Sequence, residues 1–284
     1  MINEIVEMFS YGFMIRALIV GGLVTLCSAL LGVSLVLKRY SMIGDGLSHT
    51  AFGAMSVVVS LNSLPFVAEH FKVNPLLFTI ILVIIVAFFL LRITDNSKIS
   101  SDSAIALIST ASLAIGIIVI SFTTGLNTDV CNTLFGTILA LSKMDVLISV
   151  VLSVIVLILF SVFYNKIFAV TFDESFSKAT GIKVNLYNML IALLTAITIV
   201  VGMRLMGSLL ISSLIVIPAL TSMQMFKTFK HVVINSAIIS VVCFFIGMVL
   251  SYLFKLPTGA SIVMVNIIMF LIFKIISSFR KRFI

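Results

Sequence analysis

The sequence predicts an all-α protein that crosses a membrane several times. Of its 284 residues, 61% are hydrophobic and only 10% are charged, whereas a soluble domain carries about 25% charged residues. The mean hydropathy is +1.33, and the apolar residues gather in runs of about 18 residues or more, which is the length a helix needs to cross a bilayer. These runs lack the alternating pattern of lipid-facing strands, so we expect helices and not a β-barrel.

Apolar segments follow one another along almost the whole chain, and we read nine of them. They are residues 12–37, 47–64, 75–91, 104–121, 145–163, 184–201, 207–223, 232–254 and 259–277. The sixth and seventh are separated only by Gly202–Met206, so a broken hairpin is the alternative to two full spans. We therefore predict about eight or nine transmembrane helices in one integral-membrane domain over residues 1–284.

The positions of Lys and Arg predict the orientation. With the amino terminus outside, 13 of the 18 basic residues fall on the cytoplasmic side, as the positive-inside rule requires. The basic tail Arg280–Arg282 is then cytoplasmic, which favours an odd number of spans. The net charge of +8 therefore indicates membrane orientation and not nucleic-acid binding.

Two composition features exclude other classes. The three cysteines are scattered without CxxC spacing, so a disulfide framework is not expected; they are Cys27, Cys131 and Cys243. The chain contains no GxxxxGK[ST] loop, which is the phosphate-binding loop of ATPases. We therefore predict a non-catalytic membrane subunit, and any ATP hydrolysis that drives it must occur in another chain.

The stretch Gly44–His49 carries an ionisable pair between two apolar runs. Asp45 and His49 are four residues apart, which places them on one helix face, one turn apart. A carboxylate and an imidazole suit a divalent transition metal, and ionisable groups inside a membrane are costly and usually functional. Asp45 and His49 are therefore our candidate metal ligands.

The sequence leaves alternatives to this metal site. Asp45 follows a glycine and precedes an apolar run, so it is equally well placed as a helix N-cap, and a histidine near a helix start is often a satisfied polar core residue. One chain also supplies only two strong ligands, whereas a bound metal usually has four or more. A symmetric dimer would double the pair, so the metal hypothesis requires a second copy.

A second unusual segment spans residues 171–181 between two apolar runs. Asp173 and Glu174 suit the start of a helix and Gly181 suits its end, while Phe172, Phe176 and Ala179 recur at helical spacing. A short amphipathic helix with two exposed aromatic rings fits a groove on a partner protein. The alternative is a helix that lies on the membrane surface.

A third segment runs from Arg204 to Leu220. It contains small and hydroxylated residues that allow close helix packing and a proline that would kink the span. These candidate pathway or packing residues are Gly207, Ser208, Ser212 and Pro218. We interpret Arg204, at the outer end, as an anchor at the lipid boundary.

Three segments together resemble the membrane subunits of ABC importers for divalent metal ions. They are Lys38–His49, with a basic pair and a Gly-Asp-x-Leu-Ser-His signature, Leu134–Ala140 followed by Asp145, and Phe172–Gly181 followed by Gly207–Ser213 and Ile217–Ala219. Their order and spacing cover almost the full length of the chain.

The resemblance implies a type II ABC importer-like permease in the bacterial plasma membrane, either a homodimer or a heterodimer. Its expected partners are two cytoplasmic ATPase subunits and an extracellular metal-binding lipoprotein. Asp45 and His49 would contact the ion in the translocation path, and Phe172–Gly181 would be the coupling helix seated on the ATPase. No cofactor is bound permanently, because the metal is the transported substrate.

We therefore predict ATP-driven import of zinc, manganese or iron(II). The sequences of Met203–Gly207 and Ile217–Leu220 resemble the zinc-type members of this permease family slightly more closely. One alternative is an ABC permease for a chelated metal, a siderophore or a corrinoid, whose cavity would not need the Asp–His pair. Another is a secondary transporter driven by an ion gradient, which would need no ATPase.

Overall fold

The computed structural model describes residues 7–63, 74–96, 101–122 and 143–283. In these ranges the chain is helical and has no strand. Eleven helices have both ends described: α1 Gly12–Leu37, α2 Ile43–Ser63, α3 Pro75–Asn96, α4 Ser101–Ser121, α5 Lys143–Val162, α6 Tyr164–Phe172, α7 Glu174–Ala179, α8 Val184–Met206, α9 Ser208–Met223, α10 Phe229–Phe254 and α11 Thr258–Phe283.

Each of the nine apolar segments coincides with one of these helices. Six helices are long and apolar enough to cross a membrane, namely α1, α4, α5, α8, α10 and α11. The apolar parts of α3 and α9 are shorter, Pro75–Leu90 and Ser208–Met223. The predicted class, an all-α protein with several membrane spans, is therefore confirmed.

The predicted break between the sixth and seventh segments is displaced. Residues 202–206 are helical and complete α8, and the chain turns only at Gly207, whose φ of +86° suits glycine. Met203 and Met206 are fully buried, so packing extends the helix through a stretch that reads as a loop in the sequence.

Helix α1 forms the centre of the bundle, while α11 lies at its edge. We compare the most apolar 18 residues of each helix. Of these, 67% are buried in α1 but only 11% in α11. A Cβ added at Gly32 would lie 1.9 Å from the carbonyl oxygen of Ile215, so α1 and α9 meet backbone to backbone. On another side, Ser236 and Ser240 of α10 donate hydrogen bonds to α1 carbonyls.

A glycine contact fixes α2 against α4. A Cβ added at Gly53 would lie 2.4 Å from the carbonyl oxygen of Ser112, and one at Gly46 would lie 2.6 Å from the Ile105 side chain. Both residue numbers increase together along the contact, so the two helices are parallel. This close packing holds the first turns of α2, where the candidate metal ligands lie.

Two ion pairs mark opposite ends of the bundle. Lys38, after α1, pairs with Glu174 of α7, whereas Arg204, near the end of α8, pairs with Asp145 of α5. We call the first end the α7 end. Because Arg204 and Asp145 are both largely buried, the interpretation of Arg204 as a lipid-boundary anchor was incomplete: its guanidinium also connects two helices.

Candidate metal-ion site

A tight turn from α1 brings the chain into α2. Arg39 adopts a left-handed conformation with φ of 62°, and the Tyr40 N–H donates to the Leu35 carbonyl at 2.9 Å. The Gly46 N–H donates to the Met42 carbonyl, so Met42 begins the helical bonding and Asp45 lies inside the first turn. The N-cap interpretation of Asp45 was therefore wrong, although its charge still suits the positive end of the helix dipole.

The predicted pair lies together on one face of α2. His49 Nε2 is 3.6 Å from Asp45 Oδ1, which is too long for a hydrogen bond and leaves both groups able to bind an ion. The Asp45 side chain is 51% exposed and that of His49 is 23% exposed. The buried Nδ1 of His49 has no hydrogen-bond partner in the part of the chain that the structure describes. An unpaired buried nitrogen is costly, so the imidazole is not a satisfied core histidine.

The neighbouring hydroxyl groups serve the helix and not the site. Ser48 Oγ donates to the Gly44 carbonyl at 2.6 Å, and Thr50 Oγ1 donates to the Gly46 carbonyl at 2.9 Å. Side chains that bond back to their own helix are held away from a ligand. Asp45 and His49 therefore remain the two strong metal-binding groups at this point of α2.

Helix α9 closes one side of the first turn. A Cβ added at Gly44 would lie 3.6 Å from Cα of Ser212, so this predicted pathway residue is close to the site. Ser212 Oγ donates to carbonyls of its own helix. Of the other predicted residues on this segment, Gly207 forms the turn before α9, and Ser208 and Pro218 are buried within α9.

The described part of the chain brings only two candidate metal ligands together at this point. Over the described ranges, no three His, Cys, Asp or Glu side chains come together in a way that could hold an ion. Asp45 and His49 thus offer two ligands where four or more are usual. An ion bound here would need further ligands from outside these residues.

The segment predicted over residues 171–181 is divided between two helices. Asp173 ends α6 and accepts a hydrogen bond from the Phe176 N–H at 2.9 Å, so it caps α7 as expected for an acidic residue at a helix start. After α7, Gly181 has φ of +80°, and Ile182 N–H donates to the Ser177 carbonyl. The Asp173 cap therefore separates α6, which carries Phe172, from α7, which carries Phe176.

The two phenylalanines of this segment have different surroundings. Phe176, on α7, is 65% exposed, as is expected of a residue that contacts another protein. Phe172 ends α6, and its ring lies 5.0 Å from that of Phe168 and 6.1 Å from that of Phe229. Phe172 thus connects α6 to the start of α10, while Ala179 ends α7 on its exposed surface.

A polar network that the sequence did not reveal joins α7 to the turn before α2. Lys38 Nζ lies 2.7 Å from Glu174 Oε1 and also donates to Asn188 Oδ1, and Asn188 Nδ2 donates to the same Glu174 oxygen at 3.0 Å. Partial burial raises the pKa of Glu174, but the hydrogen bonds from Lys38 and Asn188 and the charges of Lys38 and Lys178 outweigh it and lower the pKa below its usual 4.5. Lys38 and Glu174 are 136 residues apart, so no local pattern could have paired them.

This helical bundle, with an ionisable pair inside it, defines a multi-pass membrane protein of the transport class. Residues 10–277 match the ABC 3 transport family, and the chain belongs to that family. The resemblance drawn from the sequence motifs is thus confirmed, and the chain is a membrane subunit of an ABC transporter.

Relatives with assigned names are similar over nearly their whole length. The chain is 30% identical to the manganese import system permease protein ScaB of Streptococcus gordonii, over 96% of this chain and 94% of that protein. It is 26% identical to the high-affinity zinc uptake system membrane protein ZnuB of Haemophilus influenzae, over 94% and 97%. Its fold matches that of PsaBC from Streptococcus pneumoniae in complex with Fab, with a TM-score of 0.83, 28% identity and coverage of 96% and 95%.

Proposed function

We propose that this chain is the permease subunit of an ABC importer that carries a divalent transition-metal cation into the cell. The observation that carries the proposal is the Asp45–His49 pair, an oxygen and a nitrogen ligand on one helix face. The named relatives act on manganese and on zinc, and neither metal is favoured enough to support the slight preference for zinc suggested by the sequence. The transported substrate is therefore proposed as a class that includes zinc, manganese and iron(II).

The working unit is a dimer of permeases. A two-fold axis beside Asp45 and His49 would bring two copies of the pair together and supply four ligands. In this type II arrangement α1 to α5 and α8 to α11 all lie in the membrane, which gives nine spans, or eight if α9 does not cross fully. The α7 end faces the cytoplasm, as the distribution of Lys and Arg predicts.

The partners follow from this orientation. A metal-binding protein outside the cell delivers the ion to the dimer, and two separate ATPase subunits bind at the α7 end. Asp45 and His49 replace part of the hydration shell of the ion. Phe176, exposed on α7, occupies a groove of the ATPase, so that closure of the ATPase on ATP shifts the helices and releases the ion inward. The chain itself hydrolyses nothing.

Two alternatives are less well supported. An importer of a chelated metal, siderophore or corrinoid has no need for an oxygen and a nitrogen ligand on one face of α2. A transporter driven by an ion gradient does not agree with membership in an ABC transport family. Uptake assays with free metal salts and with chelated metal would distinguish the first alternative.

Metal uptake by substituted permeases tests the proposal. Asp45→Ala and His49→Ala should each lower uptake of Zn²⁺ or Mn²⁺ more than about tenfold, the scale expected when metal-site groups are lost. Membrane insertion and assembly with the ATPase should remain normal. Asp102→Ala and His231→Ala, which remove exposed groups of the same types elsewhere, are the matched controls. Normal uptake by both Asp45→Ala and His49→Ala would exclude the metal site.

A further inference from the structure

Lys38 is an unusually buried charge whose partners lie on two other helices. Its side chain is only 7% exposed, whereas that of Glu174 is 45% exposed. Lys38 Nζ contacts both Glu174 of α7 and Asn188 of α8. A buried ammonium needs polar partners, and Lys38 finds them on α7 and α8, so its position is coupled to that of α7.

The backbone between Lys38 and the Asp45–His49 pair is tightly constrained. The left-handed residue Arg39 and the hydrogen bond from Tyr40 N–H to the Leu35 carbonyl close the turn. Ile43 is 1% exposed and begins α2, two residues before Asp45. A displacement of Lys38 is therefore passed to the first turn of α2 and not absorbed by a flexible loop.

The surroundings of this turn restrict how the first turn of α2 can respond. Gly44 lies against Ser212 and Ile215 of α9, and Gly46 lies against Ile105 of α4. Helices packed this closely resist continuous deformation and move as units. A pull on Lys38 would thus change the position of Asp45 relative to α9 and α4.

We propose that Lys38 is a positioning residue that links α7 to the metal pair: the Lys38–Glu174–Asn188 contact carries the movement of α7 on the ATPase to Asp45 and His49. This link rests on the proposed function. It adds a specific route from α7 through Lys38 to Asp45, which lies seven residues after Lys38 in the chain.

The energetic scale suits a contact that breaks and forms in each transport cycle. A partly exposed ion pair contributes little to stability, so the bundle does not need it to fold. The pair therefore holds α7 in a fixed position against the turn before α2. Loss of the pair should leave the folded bundle intact and change only how ATP hydrolysis responds to the metal.

The test uses the permease assembled with its ATPase in proteoliposomes, with Mn²⁺, Zn²⁺ and Fe²⁺ as probes. The variants are Lys38→Met, Glu174→Gln and the double variant, and Glu174→Gln keeps the shape of a half-exposed side chain in case Lys38→Met does not fold. Lys230→Met removes an exposed lysine of α10 and is the matched control. Three quantities are measured: ATPase co-purification, the metal-dependent rise in melting temperature, and the metal transported per ATP hydrolysed.

We expect co-purification and metal-dependent stabilisation to remain, while the metal transported per ATP falls at least fivefold in either single variant. The double variant should be no worse than the singles, because both act through one contact. Transport per ATP within twofold of wild type, or additive losses in the double variant, or loss of co-purification, would overturn the link. Failure of the wild-type complex to transport any of Mn²⁺, Zn²⁺ and Fe²⁺ would instead refute the proposed function.

Discussion

Arg204 Nη1 of α8 lies 3.0 Å from Asp145 Oδ1 of α5, and both side chains are largely buried. The pair lies at the end of the bundle opposite the Lys38–Glu174 contact. It connects α8 to α5 near the end of α8, where a cation also suits the negative end of the helix dipole. Within the described residues, these two pairs lie at opposite ends of the bundle and differ in burial and in expected energy.

Removal of the buried pair should reduce stability. We expect Arg204→Gln to lower the free energy of unfolding by about 1–3 kcal/mol, because Asp145, whose side chain is 17% exposed, loses a charged hydrogen bond from Arg204. The measurement is thermal unfolding of the purified protein in detergent. Arg16→Gln, which removes an exposed arginine bonded to its own helix, is the control and should change stability by less than about 0.5 kcal/mol. Equal melting temperatures for wild type and Arg204→Gln would show that the pair has no structural role.

Substitution of Gly53 should separate α2 from α4. A Cβ at this position would lie 2.4 Å from the Ser112 carbonyl oxygen. Because that oxygen belongs to the backbone, the clash can be removed only if one of the two helices shifts. We expect Gly53→Ala to destabilise the protein by about 1–3 kcal/mol through overpacking. Gly22→Ala, in α1, meets nothing within 4 Å and should be neutral or stabilising by up to about 1 kcal/mol. Similar effects of the two changes would contradict the close packing.

A charge on the exposed face of α7 should weaken binding of the ATPase. Phe176→Glu removes an aromatic contact that contributes roughly 1.5–3 kcal/mol when buried and places a charge where an apolar groove is expected. Co-purification of the ATPase should therefore fall at least tenfold. Phe122→Glu changes a phenylalanine that is 85% exposed and follows α4 at the far end of the bundle, and it should have no effect on co-purification. Undiminished co-purification of Phe176→Glu would exclude α7 as the binding element.

The ionised form of Glu174 should stabilise the fold only above acidic pH. Burial raises the pKa of Glu174, but the contacts from Lys38 and Asn188 outweigh burial and lower this pKa in the folded protein. The contribution of Glu174 to stability is therefore complete above pH 4.5 and is lost as the pH falls through the folded pKa. We expect wild type to be more stable than Glu174→Gln at pH 7 by up to about 1 kcal/mol, since the side chain is half exposed. The difference in melting temperature between the two should shrink below pH 4.5. If this difference in melting temperature grew as the pH was lowered, the stabilising role of the ionised Glu174 would be contradicted.

Local patterns in the sequence were sufficient for several features. The lengths of the apolar runs predicted nine helical segments, and the spacing of Asp45 and His49 predicted their shared face. Asp173 and Gly181 were recognised as the residues that begin and end α7, because caps depend on nearby backbone groups. Each of these features is decided by residues within about one or two helical turns of one another.

Contacts between distant residues were not predictable in this way. Neither the Lys38–Glu174 contact nor the Arg204–Asp145 pair has a local signal, and the helical state of residues 202–206 depends on burial of Met203 and Met206. Asp173 was expected to begin a helix, but no local pattern indicated that α6 ends immediately before it.

The sequence by itself determined that this chain is a helical membrane protein of the metal-ion ABC permease type, with Asp45 and His49 on one face. Hydrophobic length, helical periodicity and motif spacing are properties of neighbouring residues, so they are readable without a fold. Only the tertiary structure decided that Asp45 lies inside the first turn of α2, that Gly44 and Gly46 hold this turn against α9 and α4, and that Lys38 ties it to α7. The last two are contacts between distant parts of the chain, and they form only when the helices pack.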